Sequence, residues 1–310
     1  MVFQMNTERR SPRYAAIDLW DPADALDAMI EGQFAAVAAV HAARASIEQA
    51  ALAIEERLRG PGGGTGRLIY AGAGTSGRLA VQDGAELMPT FGWPPDRLLL
   101  LMAGGRDALL RAVEGAEDAA EHAAALVRHH HIGAADVLIA VAASGTTPFT
   151  LACLREAAAR GALTVGIANN PQTPILDEAA HAIWLDTGAE PIAGSTRMKA
   201  GTAQRVALTL LSSLVMIRLG RVYEGLMVDV QASNAKLARR SEAILAQLTG
   251  HGRDKVHAAL RQAKGSVKLA LLLLEGVALD EARAALDHAG GDLRAAKQLI
   301  ESGAARQRRA

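Results

Sequence analysis

The chain has 310 residues, 50% of them hydrophobic, and its 33 basic and 33 acidic residues cancel to a formal net charge of zero. That apolar content fills the core of one large domain or two modest ones. A neutral chain lacks the electrostatic footprint of a nucleic-acid or anionic-membrane binder, and 3% aromatic residues leave little surface for stacking bases, so the expected partner is a small molecule. The single cysteine, Cys153, excludes an internal disulfide and reads as core filler in a reducing compartment.

Residues through Pro12 are polar and are expected to extend away from the body or onto a partner subunit. The start "MVFQMNTERRSPRY" has no apolar signal-peptide region, and the run Val206 to Leu219 is interrupted by serines and too short to span a bilayer, so a cytoplasmic location without membrane contact is expected. From Asp21 to Arg59, alanine-rich sequence with apolar positions at helical spacing predicts one or two long helices, opened by Asp21 as cap and Pro22 at the first helical position. "GPGGGTG", Gly60 to Gly66, is a breaker.

Strands and helices then alternate. Strands are predicted at Leu68 to Ala71, Leu98 to Met102, Val137 to Val141, "LTVGIA" and "AIWL". Helices are predicted from about Gly77, over Asp107 to His129 and over Pro148 to Arg160. This pattern implies a mostly parallel sheet covered on both faces, a three-layer αβα α/β fold, whose ligands bind beyond the carboxyl ends of the strands. Gly194 to Gly220 reads as one long amphipathic helix capped by Ser195 or Thr196. From about His251 the composition is wholly helical, three short helices split by Gly265, Gly276 and Gly290-Gly291, and the basic tail "ARQRRA" reads as a solvated terminus. The expected division is an N-terminal segment with helices over 1–60, a sheet domain over 61–245 and a helical module over 246–310.

Two loops carry the chemistry. In "YAGAGTSGRLAVQDGAE", Gly72, Gly74 and Gly77 have the spacing of a dinucleotide-binding loop. Such a unit needs an acidic residue at the end of its second strand to hold the ribose, and "LLLLMAGGRD" has Ala103, Gly104 and Gly105 there. What remains is a glycine-rich helix N-terminus offering backbone N–H groups and the hydroxyls of Thr75 and Ser76, a cradle for a phosphate monoester. "VAASGTTPFTL" repeats this chemistry, with Ser144, Gly145, Thr146 and Thr147 at another strand end. Ordinary N-caps account for one hydroxyl per helix, not for two clusters.

With both loops in view, the chain resembles a sugar isomerase (SIS) domain. "GRLIYAGAGTSGRLAVQDGAELMPTFG", "AVEGAED", "VAASGTTPF", "EPIAGSTRMKAGTAQ" and "LMVDVQASNAKL" resemble, in order, the N-acetylmuramic acid 6-phosphate etherase family, and the helical tail resembles that family's ubiquitin-associated-like module. The resemblance implies an enzyme, a carbon–oxygen lyase that removes D-lactate from C3 of N-acetylmuramic acid 6-phosphate by elimination and then adds water, leaving N-acetylglucosamine 6-phosphate, in cell-wall sugar recycling. In the open-chain aldehyde the C2 proton is acidified by the carbonyl, and the lactate oxygen needs an acid to depart. By resemblance Glu86 matches the proton donor to lactate and Glu117 the base at C2.

Gly74, Thr75, Ser76, Ser144, Gly145, Thr146, Thr147, Ser195 and Lys199 are the expected phosphate and sugar ligands, with Arg197 a further candidate cation; the neighbouring Asp83, Glu114 and Asp118 read as surface residues or as supports behind the reacting pair. No cofactor or metal is called for, since acid–base groups suffice and no cluster has ligand spacing; His129 to His131 reads as a helix end. The chain departs from the family's pattern at Leu87, Met88, Thr146 and Ser11, which puts fine substrate preference in question. Two other readings stay open, a non-catalytic phosphosugar-binding regulator similar to the glucokinase regulatory protein and an aldose–ketose phosphosugar isomerase. A single SIS domain is expected to complete its pocket in a homodimer, through Asp21 to Arg59 and Arg205 to Leu219.

Overall fold

The computed structural model describes residues 5–60, 64–230 and 235–307; part of the breaker (61–63), part of "LMVDVQASNAKL" (231–234) and the end of the basic tail lie outside them. The described residues form two compact units, one taking in the chain up to Ala85 together with Asp96–Leu214, the other Glu86–Pro95 and the chain from Val215 onward.

In the first unit α1 (Pro22–Ala42) and α2 (Arg44–Arg59) precede the sheet. Asp21 and Pro22 open α1 as predicted, although the Asp21 side chain makes no capping bond. The body-facing side of α1 is built from small residues, Ala28, Gly32, Ala36 and Ala39. They recur at three- and four-residue spacing and so share one stripe of the helix. The opposite stripe leaves Leu26, Ile30, Phe34 and Val37 exposed, Phe34 at 71%.

The sheet is five-stranded and wholly parallel, in the order β2 (Leu98–Met102), β1 (Leu68–Gly72), β3 (Val137–Val141), β4 (Leu163–Ala168), β5 (His181–Trp184). Side chains alternate across it. Ile69, Ala71, Leu138 and Ala140 join a core cluster with Val127 of α4 (Ala120–His129) and Phe149 and Leu154 of α5 (Pro148–Ala159). On the other face Tyr70 meets α3 (Gly74–Phe91), where a Cβ on Gly84 would stand 3.2 Å from its ring. Helices cover both faces, as an all-parallel sheet requires. The order 2-1-3-4-5 reverses direction between β1 and β3, and a ligand crevice opens at such a switch point, beyond the strands' carboxyl ends.

Several predicted elements are corrected. The helix expected over Asp107 to His129 is a 3₁₀ turn at Gly105–Leu109, a loop, a second 3₁₀ turn at Ala116–Asp118 and only then α4. Gly115, at φ +69°, takes a left-handed conformation that interrupts a helix. The helix expected from Gly77 already begins at Gly74. After the short helix α6 (Pro174–Glu178) between β4 and β5, the long helix expected from Gly194 is α7, Lys199–Arg218, because residues 194–198 turn instead. The N-terminal segment does not extend away: Thr7 is 1% exposed, donating from its N–H to Asn170 Oδ1 at 3.2 Å and accepting from Asn170 Nδ2 at 3.0 Å.

α7 is long and apolar enough by length and composition alone to cross a membrane, but 56% of its apolar window is buried inside the protein, as in a core helix.

The second unit has a short antiparallel pair, Val222–Tyr223 with Leu226–Met227, and helices α8 (Ala235–Thr249), α9 (Arg253–Gln262), α10 (Val267–Leu274), α11 (Leu279–His288) and α12 (Leu293–Gln307). The breaks at Gly265, Gly276 and Gly290-Gly291 therefore separate four helices, α9 to α12, where three were expected. Leu237, Ile244 and Leu245 of α8 share one apolar core with α10 and α11.

Candidate active site

Gly72 and Val141, the last residues of β1 and β3, are register partners, so the two hydroxyl-rich loops leave adjacent strands at the switch point. The glycines of the first loop have separate tasks. A Cβ on Gly72 would come within 2.8 Å of the Gly77 Cα, and one on Gly77 within 2.5 Å of Met102 Sδ, so these two allow α3 to pack against the strands. Gly74, at φ +53°, makes the turn into the helix. Thr75 and Ser76 thus lie in the first turn of α3, where backbone N–H groups have no acceptor within the helix and the dipole favours an anion. Ser76 is buried and Thr75 half-buried.

In the second loop Ser144 Oγ lies 3.1 Å from Thr147 Oγ1 and accepts the Thr146 N–H at 3.1 Å. Thr147 occupies the N-cap position of α5 without making a side-chain capping bond, so helix capping does not account for its hydroxyl. Gly145 donates to the Ala142 carbonyl and accepts from the Ile175 N–H, each at 3.1 Å. A Cβ on it would collide with Thr173.

Glu117 follows β2, the strand on the other side of β1, and sits on the 3₁₀ turn after Gly115. Its carboxylate reaches the first loop: a Cβ built on Gly74 would stand 2.7 Å from Glu117 Oε1. Glu114 and Asp118 are exposed. Glu86 is also exposed and stands ten residues beyond Ser76 on α3, in the part of that helix belonging to the second unit. Asp83 is 5% exposed and accepts from Tyr70 Oη at 2.9 Å and from Thr209 Oγ1 and Ser212 Oγ at 3.3 Å each. Burial pushes its carboxyl above the ordinary value against the pull of these donors and of Arg205.

The segment "EPIAGSTRMKAGTAQ" meets the first loop where α7 begins. A Cβ on Gly201 would lie 3.7 Å from Thr75 Cγ2. The cap of α7 is neither Ser195 nor Thr196. It is Glu190, 1% exposed, whose two carboxylate oxygens accept the N–H groups of Lys199 at 2.9 Å and Ala200 at 2.8 Å. Burial raises the Glu190 carboxyl, and the two amides and the Lys199 charge pull against that rise. Lys199 is itself buried, and its ammonium donates to the Thr187 carbonyl at 2.7 Å. Burial lowers its pKa, with Glu190 opposing. Ser195 is half-buried, and Arg197 is exposed.

Sequence reading missed the polar floor beneath the strand ends. Asn169 donates to the Leu185 carbonyl at 3.1 Å and accepts from Gln204 Nε2 at 2.8 Å, while Asn170 donates to the Ala143 carbonyl, beside Ser144, at 2.8 Å. The signal was present: an Asn-Asn pair directly after "LTVGIA" lies at the carboxyl end of a parallel strand. Among the described residues no group of three or more His, Cys, Asp or Glu side chains is placed to hold a metal ion.

The family model described as the glucokinase regulatory protein N-terminal SIS domain matches residues 49–158, and the SIS domain model matches residues 115–214. The N-acetylmuramic acid 6-phosphate etherase of Deinococcus radiodurans is 50% identical over 89% of this chain and 89% of its own length. That of Rubrobacter xylanophilus is 43% identical over 87% and 89%. Among solved structures, a phosphoheptose isomerase from Francisella tularensis has a TM-score of 0.47 at 18% identity, over 64% of this chain and 100% of that one. On identity and coverage with these curated relatives, the chain belongs to the N-acetylmuramic acid 6-phosphate etherase family.

Proposed function

We propose that this protein is an N-acetylmuramic acid 6-phosphate etherase that binds the sugar phosphate between its two hydroxyl-rich loops. The observation that carries the reading is the placement of the Glu117 carboxylate against Gly74, the residue that opens the phosphate-cradling turn. The phosphate takes backbone N–H groups of the first turn of α3 and the hydroxyls of Thr75 and Ser76, and the loop Ser144 to Thr147 holds the sugar. Ser195 and Lys199 support this pocket from the start of α7.

The chemistry follows from the open-chain aldehyde. Glu117, as carboxylate, takes the C2 proton; the C–H electron pair moves into a C2–C3 double bond, and the C3–O bond to lactate breaks. Glu86, as carboxylic acid, gives its proton to the departing lactate oxygen. Water then adds at C3, its proton passing to the Glu86 carboxylate, while Glu117 gives a proton, exchanged with solvent, back to C2. The sum is substrate plus water giving N-acetylglucosamine 6-phosphate and D-lactate, with both glutamates restored. Two carboxyl groups in opposite protonation states suit this task, and every proton moved is held by the chain's own residues or by water.

The enzyme works in the cytoplasm as a homodimer with its site near the interface. The exposed stripe Leu26, Ile30, Phe34 and Val37 on α1 supports this reading, since contiguous apolar surface of this kind marks a protein-binding face. The purified protein is to be assayed with N-acetylmuramic acid 6-phosphate in deuterated water, with Glu86→Gln and Glu117→Gln alongside. D-lactate release with deuterium at C2, and loss of roughly 10²- to 10⁴-fold in each variant, is the expected result. Sugar-phosphate binding without lactate release overturns the proposal in favour of a regulator, and conversion to a ketose phosphate in favour of an isomerase.

A further inference from the structure

Resting on that reading, we infer that Arg78 is a positioning residue that fixes the base Glu117 by tying its loop to the phosphate-binding helix. Arg78 lies on α3 two residues after Ser76. Its guanidinium crosses to the segment between β2 and α4, where Nε donates to the Ala108 carbonyl at 2.8 Å and Nη2 to the Arg111 carbonyl at 3.3 Å.

Short-range bonds shape that segment from within, a 3₁₀ turn at Gly105–Leu109 and the exposed Asp107–Arg111 ion pair. It runs from Gly104 to Gly115, both left-handed; Leu110 is 93% exposed, and residues 109 to 115 are all exposed. Its buried anchor is Ala108, 4% exposed, the residue whose carbonyl Arg78 takes. Glu117 follows two residues after Gly115, and its carboxylate lies against Gly74 four residues before Arg78. The guanidinium therefore closes a ring: α3 carries the phosphate cradle, the arginine carries the loop, and the loop returns the carboxylate to the cradle.

A planar guanidinium can hold two carbonyls in a fixed relation, whereas an ammonium on a flexible stem acts as a point donor. Since an error of about 1 Å in a reacting group is worth on the order of a hundredfold in rate, freeing the loop slows proton abstraction while the phosphate cradle stays whole.

Arg78→Ala and Arg78→Lys are to be compared with wild type for kcat, KM and the rate of solvent-deuterium entry at C2. For Arg78→Ala the expected result is a kcat and a deuterium-entry rate both lower by about 10- to 100-fold, with KM within about twofold. Arg78→Lys should show a smaller loss of the same form, and millimolar guanidinium should restore part of the alanine variant's rate but none of the lysine variant's. A raised KM at unchanged kcat would make Arg78 a phosphate ligand and overturn the inference, as would unchanged kinetics in Arg78→Lys. Should Arg78→Ala fail to fold, the lysine variant alone decides. Wild-type protein that releases no lactate defeats the functional reading; wild-type release with unaltered variants defeats only this inference.

Discussion

Gly74 and Glu117 share one small space: a methyl group on the glycine would stand 2.7 Å from the glutamate's Oε1. A turn and a carboxylate 43 residues apart are thereby fitted to each other. Gly74→Ala should lose more than the roughly 1–2 kcal/mol of a left-handed alanine, because the carboxylate must also move. The expected outcome is a fall in kcat of about 100-fold with the protein still folded, measured by lactate release beside circular dichroism.

Glu190 answers for the start of α7. Replacing it with alanine uncaps two amides and removes the carboxylate that most opposes the desolvation of the buried Lys199 ammonium. Loss of a cap costs about 1 kcal/mol, and leaving a buried charge uncompensated adds to it. A thermal midpoint lower by at least about 2 °C is expected, with a smaller drop for Glu190→Gln, which keeps one accepting oxygen. A scanning calorimetry trace of both variants checks this.

Acid should loosen the pole of the sheet opposite the site. Asp136, just before β3, accepts from Arg67 Nε at 3.1 Å, Arg67 Nη2 at 2.7 Å, the Arg67 backbone N–H at 2.9 Å and the Gly133 N–H at 3.0 Å. Burial alone would raise its carboxyl, but these donors and the guanidinium charge outweigh it and hold it below the ordinary aspartate value. A depressed folded-state pKa gives stability that is fully present above the unfolded value and is lost as pH falls through the folded one. Urea midpoints for wild type should therefore decline below about pH 4 more steeply than for Asp136→Asn, which should already be weaker at neutral pH by about 2–4 kcal/mol.

The α1 stripe gives a test of assembly. Phe34 is 71% exposed between Ile30 and Val37, and a carboxylate there would be desolvated in any interface built on this face. Phe34→Asp should sediment at the one-chain mass of 32.4 kDa where wild type sediments at twice that, with lactate release falling in step. Wild type sedimenting as one chain with full activity would remove the homodimer from the functional reading.

Much of this was legible in the chain. Short apolar runs separated by helical spacing announced a parallel sheet, because the strands of a sheet covered on both faces are mostly apolar; all five predicted strands are present in the first unit. The glycine spacing around Gly72, Gly74 and Gly77 and the hydroxyls of Thr75, Ser76, Ser144 and Thr147 were visible as local pattern, since a turn from a strand into a helix is made by consecutive residues. What pattern cannot carry is contact between residues far apart. It put Glu117 on a helix, because alanine-rich sequence has helical propensity, and the left-handed Gly115 overrode it. It offered Ser195 or Thr196 as the cap of α7, because those residue types cap locally, whereas a buried glutamate from outside the helix takes both amides. It had the first residues, Thr7 among them, extend away from the body or onto a partner subunit, although Asn170, 163 residues away, holds Thr7 in the core. The sequence by itself determined the sheet, its loops and the family; only the tertiary structure decided which distant side chains meet at those loops, because those choices are made by packing and by the need to satisfy every buried polar group.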